Sequence, residues 1–192
     1  MRFSMLVPIV PLQEREAHLV SYYERIKNFE GCARNPFFWL QYAIARISID
    51  DYPLAEQYLD TAYALASRFT WFDTYQLDNT KARLLLQRTI HDRPPIADAF
   101  SDFVKASQII NTQMRERRHG YYPYRVATLY GRFWDAIASK WPDEQRSIIL
   151  GAVKAVQRLL QGVDRHIVAH PDVVRCSEEI SRILFSDKGA LR

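Results

Sequence analysis

Glycine, proline and cysteine are all scarce in this chain of 192 residues, which holds 6 Gly, 9 Pro and 2 Cys. So few glycines and prolines, set mostly where apolar periodicity starts or stops, leave little room for long flexible loops or a disordered arm. The two cysteines, Cys32 and Cys176, lie far apart with no CxxC partner, so redox and zinc motifs are unsupported and buried free thiols are expected. Long apolar runs are missing too. The longest, Met5 to Leu12, is broken by Pro8 and Pro11 and falls well short of the roughly 20 residues that span a bilayer. With a single early Arg2 and no small-residue cleavage site, it also makes a poor signal peptide, and a cytoplasmic location is expected.

Lysine is the scarce cation, with 6 Lys against 20 Arg. Arginine makes bidentate and stacked contacts that lysine cannot, a bias suited to interfaces or anion recognition, although a GC-rich genome produces the same bias. Net charge is +4 and the isoelectric point about 9.1, which permits an acidic partner without requiring one. The 48% hydrophobic and 25% charged content is that of a folded soluble protein, and one domain, 1–192, is the expectation.

Helical periodicity dominates what is present, and no stretch alternates with period 2 between hairpin turns. Helices are predicted from Gln13 to Phe29, Pro36 to Ile49, Pro53 to Ser67, Trp71 to Arg88, Ile96 to Gln113, Pro123 to Ser139, Trp141 to Gln161 and Pro171 to Phe185. Prolines open several of them, because the first turn has no use for the missing N–H. Asp50 and Asp51 make one turn, Thr70 with Asp73 resembles a capping box, and HDRPP ends the fourth helix. The predicted inner face of the helix after Trp141 carries Ile148, Ala152, Ala155 or Val156, and Leu159.

Residues 35–66, NPFFWLQYAIARISIDDYPLAEQYLDTAYALA, place Trp39, Ala43, Tyr52, Ala55, Leu59 and Ala62 at the spacing of a tetratricopeptide repeat. Small beside large is the packing rule: the alanines permit close approach and the bulky residues fill the grooves. The triplet Ala55, Leu59, Ala62 recurs as Ala99, Phe103, Ala106. The fold class expected is therefore all-α, antiparallel helical hairpins stacked as degenerate tetratricopeptide-like repeats, an α-solenoid. Its clearest repeat is 35–67, a second is 70–113 and a degenerate third is 121–185.

That stretch, followed by FDTYQLDNTKARLLL, resembles the C-terminal helical region of bacterial antiphage defence proteins, in which SIR2-like, TIR-like or STAND-type NTPase parts precede tetratricopeptide-like repeats. The match covers roughly Asn35 to Leu86. The resemblance implies a sensor or scaffold, with an effector, NTPase subunit or phage protein as partner. The chain has no GxxxxGK[ST] phosphate loop, no GxG dinucleotide turn after a strand and no carboxylate cluster on strands, so no effector activity is expected.

Four constellations bear on function. The aromatics Phe37, Phe38, Trp39 and Tyr42 have Gln41 and Arg46 as their polar neighbours and read as packing between helices, although Phe38 or Tyr42 could face a peptide groove. Asp73, Gln76, Asn79 and Arg83 recur three or four residues apart and make a candidate partner-binding row, or a solvated face. Arg115, Arg117, Arg118, Tyr121, Tyr122 and Arg125 mix cations with rings, as nucleic-acid surfaces do, or form a basic loop after a helix. His166 and His170 have the spacing of metal ligands but no third ligand, so neither metal nor cofactor is expected. Acid pairs fall at turns and helix surfaces, and no nucleophile–base set stands out. A non-enzymatic protein- or peptide-binding module is the leading expectation, with a nucleic-acid-binding helical regulator as the alternative.

Overall fold

The computed structural model describes residues 12–70, 72–116 and 120–190 and is all-α among them. The chain divides into two compact units, 1–77 and 78–192, so the boundary falls inside the expected second repeat, 70–113.

Unit 1 holds α1 (Leu12–Ile26), α2 (Glu30–Ala33), α3 (Pro36–Ser48) and α4 (Tyr52–Ala66). Asn35 caps α3 by accepting from the Phe37 backbone N–H at 2.9 Å, and Pro36 occupies the first turn. Between α3 and α4, Asp50 takes a left-handed φ of 61°, a conformation that aspartate tolerates better than most residues. Its carboxylate accepts from the Tyr52 hydroxyl at 2.6 Å. Ala43, Ala55, Leu59 and Ala62 are completely buried and Tyr52 nearly so, so α3 and α4 form the close antiparallel pair that the small-beside-large spacing predicts. Trp39 is half-buried and its indole N–H donates to the Ala33 carbonyl at 2.9 Å.

Unit 2 holds most of α5 (Tyr75–Asp92), then α6 (Ile96–Glu116), α7 (Tyr122–Ala127), α8 (Leu129–Ala136), α9 (Asp143–Leu160) and α10 (Pro171–Ala190). Side-chain pairs fix α5 and α6 as antiparallel: Gln113 donates to Asp78 at 3.1 Å near one end, and Arg88 to Asp102 at 2.9 Å near the other. Ala99, Phe103, Ala106 and Ile110 form the buried stripe of α6, with Phe103 against Tyr130 and Phe133 at ring separations of 5.0 and 4.8 Å.

Several boundaries differ from those predicted. α5 begins at Tyr75, and Asp73 accepts from the Tyr75 N–H at 3.0 Å; Trp71, where the helix was expected to start, lies outside the described residues. The single helix expected from Pro123 to Ser139 is interrupted at Thr128, whose hydroxyl turns back onto the Arg125 carbonyl at 2.7 Å. The inner face of α9 is corrected in part: Val156 is buried and Ala152 and Leu159 pack against the core as expected, but Ile148 is exposed, and Ile149, Leu150 and Val153 are buried instead. Two neighbouring apolar stripes run along that helix, and periodicity cannot choose between them; packing in unit 2 selects the one starting at Ile149.

Candidate interaction site

The polar row is divided by burial. Asp73 and Gln76, in unit 1, are exposed. In unit 2, Arg83 is half-buried with its Nε donating to Gln87 at 2.8 Å, and Asn79 is completely buried. Asn79 is thus no part of an accessible row. Three- and four-residue steps along a helix drift around it, and the middle of this run, where Thr80 is also fully buried, is closed to solvent.

The basic-aromatic segment is partly assembled. Arg115 is exposed near the end of α6, Arg125 is exposed on α7, and Tyr122 is half-buried against the unit 2 core. Tyr121 is 43% exposed and stacks on His170 at 3.9 Å, joining the start of α7 to the start of α10. Arg117 and Arg118 lie outside the described residues. His170 accepts the Asp172 backbone N–H at 3.2 Å while His166 is exposed, and no group of three metal-ligating side chains occurs among the described residues. Where α5 gives way to α6, an open cleft of about 340 Å³ is lined by Arg88, Asp92, Asp98, Asp102 and Lys105, with the Arg88–Asp102 pair in its wall.

The densest constellation lies in unit 1 on the face of α3 that α1 covers. Tyr42 is completely buried, stacked on Tyr58 at 4.3 Å and on Tyr23 of α1 at 5.3 Å, while Phe38 meets Tyr23 edge-on at 5.4 Å. One helical turn on, the Arg46 guanidinium lies over the Tyr42 ring at 5.1 Å and donates to the Tyr42 hydroxyl at 2.8 Å. It also pairs with Asp51 at 2.8 Å and with Glu24 of α1 at 3.2 Å. The Tyr42 hydroxyl donates in turn to Glu24, which Lys27 also pairs with.

Charge follows this geometry. Burial, then the bond to Glu24, pushes the Tyr42 hydroxyl above its ordinary range, so it stays a donor at every physiological pH. The bonds from Lys27 and Tyr42 hold the Glu24 carboxyl below its usual range. Such an arrangement binds a carboxylate beside an aromatic ring. It offers no activated nucleophile.

No family model, no curated protein and no solved structure matches this chain. What stands is an all-α chain of packed antiparallel helix pairs in which no described helix is long and apolar enough to cross a membrane. In the sequence Tyr23 or Tyr22 reads only as part of the first helix's apolar stripe, and Glu24 carries no signal. Their spacing to Tyr42 and Arg46 runs from α1 across the short α2 to α3, which single-helix periodicity does not see.

Proposed function

We propose that this chain is a non-enzymatic helical module that binds a protein or peptide, built on degenerate tetratricopeptide-like repeats, and that it serves as the sensor or scaffold part of a bacterial antiphage defence system. The observation that carries the binding reading is the α3–α4 hairpin: its alanines and Leu59 are consumed in helix-to-helix packing, which is how helical repeats leave their outer faces to partners. The defence setting rests on the resemblance of residues 35–86. Asp73 and Gln76 are the exposed residues of the polar row.

The test uses proteins encoded beside this chain as candidate partners, measured by calorimetry against wild type and the D73A/Q76A variant. Affinity falling by about tenfold (~1.4 kcal/mol) with unchanged helicity supports the surface. A partner bound equally well by both refutes it. The defence assignment is tested separately by infecting cells that carry the neighbouring genes with wild-type or deleted module; equal phage survival refutes it.

A second reading has an observation of its own. Unit 2 contains 19 Lys and Arg against 13 Asp and Glu, whereas unit 1 contains 7 against 9, so the positive charge is concentrated in the unit that carries the exposed Arg115, Tyr121 and Arg125. Nucleic-acid binding there would weaken steeply with salt, the logarithmic slope being roughly 0.7 to 0.9 per phosphate contacted. No binding of single- or double-stranded probes at low salt rejects it.

A further inference from the structure

α1 covers α3 with little of its own surface. Among its described side chains Val20 is the one buried; Glu16, Leu19, Tyr23 and Ile26 are half-buried, Tyr22 and Arg25 are exposed, and Glu24 is exposed on one side. What it does press onto α3 is a ring followed by a carboxylate. Tyr23 stacks on Tyr42, and Glu24 takes the Tyr42 hydroxyl and one edge of Arg46.

The receiving side is far better fixed than the inserted one. Tyr42 is held between rings, and Arg46 is anchored by Asp51 and by the Tyr42 hydroxyl. The Arg46 side chain is 14% exposed, that of Glu24 45%. The Nε of Arg46 is buried and has no acceptor, so α1 leaves one guanidinium donor unanswered. A rigid cation among aromatic rings, covered by a helix with one buried residue among its described side chains, has the character of a site whose occupant can exchange.

We propose that the face of α3 under α1 is a groove for a helical segment of a protein partner that presents an aromatic residue followed directly by a carboxylate, and that α1 is its intramolecular occupant, displaced when the partner binds. This deepens the peptide-binding reading and rests on it. Specificity comes from the ring entering the Phe38–Tyr42 surface and the carboxylate reaching Arg46, a charge-assisted pairing that neither an apolar helix nor a basic one reproduces.

The probe is a labelled peptide of residues 12–26, LQEREAHLVSYYERI, with a control peptide carrying Y23A and E24Q. Each is titrated by fluorescence anisotropy into three full-length chains: wild type, Y23A/E24Q, and Y23A/E24Q/R46M. Loosening the internal occupant raises the fraction of open groove, so the Y23A/E24Q chain should bind the natural peptide about tenfold tighter than wild type, and R46M should remove that gain. The control peptide should bind none of them. Equal affinity of wild type and Y23A/E24Q for the natural peptide, or equal affinity of the loosened chain for both peptides, overturns the proposal.

Hydrogen exchange on the wild type guards against a variant that simply unfolds. α1 amides should exchange about 100-fold faster than those of α3 and α4, because a displaceable helix opens on its own. Equal protection across the three helices also overturns the proposal. If the groove fails while D73A/Q76A still loses its partner, the binding-module reading survives without it.

Discussion

Tyr42→Phe separates the hydroxyl network from the ring packing at the centre of unit 1. The substitution keeps the stacks on Tyr58 and Tyr23 and the Arg46 cation over the ring, and removes one oxygen. That oxygen donates to Glu24 and accepts from Arg46. A hydrogen bond to a charged group contributes roughly 1.5–3 kcal/mol. Here the lower end applies, since Glu24 is nearly half exposed and keeps Lys27 and Arg46, and Arg46 keeps Asp51. We therefore expect a loss of about 1.5 kcal/mol, against about 3–5 kcal/mol for Tyr42→Ala, which also empties the ring's place. With a urea dependence of about 2 kcal/mol per molar, the Tyr42→Phe midpoint should fall by about 0.75 M, followed by circular dichroism. The loss must also depend on pH. The Glu24 carboxyl sits below its usual range in the folded state, so its contribution is present above the ordinary carboxylate pKa and disappears as pH falls through the folded value. The gap between wild type and Tyr42→Phe should accordingly narrow from pH 7 to pH 3. A gap below about 0.3 kcal/mol at pH 7, or one that does not change with acid, would refute the hydroxyl's role and leave α1 held by side-chain packing and the Glu24–Arg46 pair.

Three further outcomes follow from packing and backbone. Ala62→Leu, in the closed α3–α4 interface, should destabilise by about 1–3 kcal/mol, whereas Ala64→Leu, exposed on the same helix, should change stability by less than about 0.5 kcal/mol; equal denaturation midpoints would contradict the close approach. Arg93 is exposed and has φ of 49° before Pro94, so Arg93→Gly should gain about 0.5 kcal/mol and Arg93→Val should lose stability, read as opposite shifts in Tm. Burial, with Glu179 adding to it, pushes the Cys176 thiol up to about 12. Its contribution to stability is thus whole below the ordinary thiol pKa and is lost as pH rises through about 12. At pH 8 in native conditions a thiol reagent should label half-buried Cys32 and spare Cys176 until urea is added, and rapid native labelling of both would contradict that burial.

The parts of the fold that were legible in the sequence are those written within one helix or one hairpin. Pro36 after Asn35 marks a helix start because both residues act on the first turn, and Trp39, Ala43, Ala55, Leu59 and Ala62 fall within a single pair of helices. The interruption at Thr128 was not legible, since the residues on both sides favour helix and a threonine bonded back to its own helix, as Thr61 is within α4, does not of itself end one. Nor was the choice of face on α9, where Ile148 and Ile149 are equally apolar and the rest of unit 2 decides between them. The candidate site was half legible. Arg46 was noticed as a polar neighbour of the aromatics, but Glu24 and Tyr23, 22 and 23 positions earlier, enter through tertiary packing.

Asn79 shows the same limit in reverse: a residue with the spacing of a binding row is completely buried, and it is not the one polar side chain so placed. Asn79, Thr80, Thr89, Ser107 and Gln113, all on α5 or α6, are buried. Asp102 of α6 is a hub for α5, taking Arg88 at 2.9 Å and the Thr89 hydroxyl at 3.2 Å with its side chain 15% exposed. Together with the Asp78–Gln113 pair it sets the antiparallel register, because sliding one helix by a turn, about 5.4 Å, breaks both ends at once. Asp102→Ala leaves the Arg88 cation, 27% exposed, and the Thr89 hydroxyl without their shared acceptor, and should cost about 2 kcal/mol in urea unfolding. Adding Arg88→Met should cost less in the Asp102→Ala background than it does alone, since the bond between the two is already gone. If the double variant is as unstable as the sum of the two singles, the pair is not coupled, and the register of α5 on α6 rests on the apolar stripe of Ala99, Phe103 and Ala106 instead.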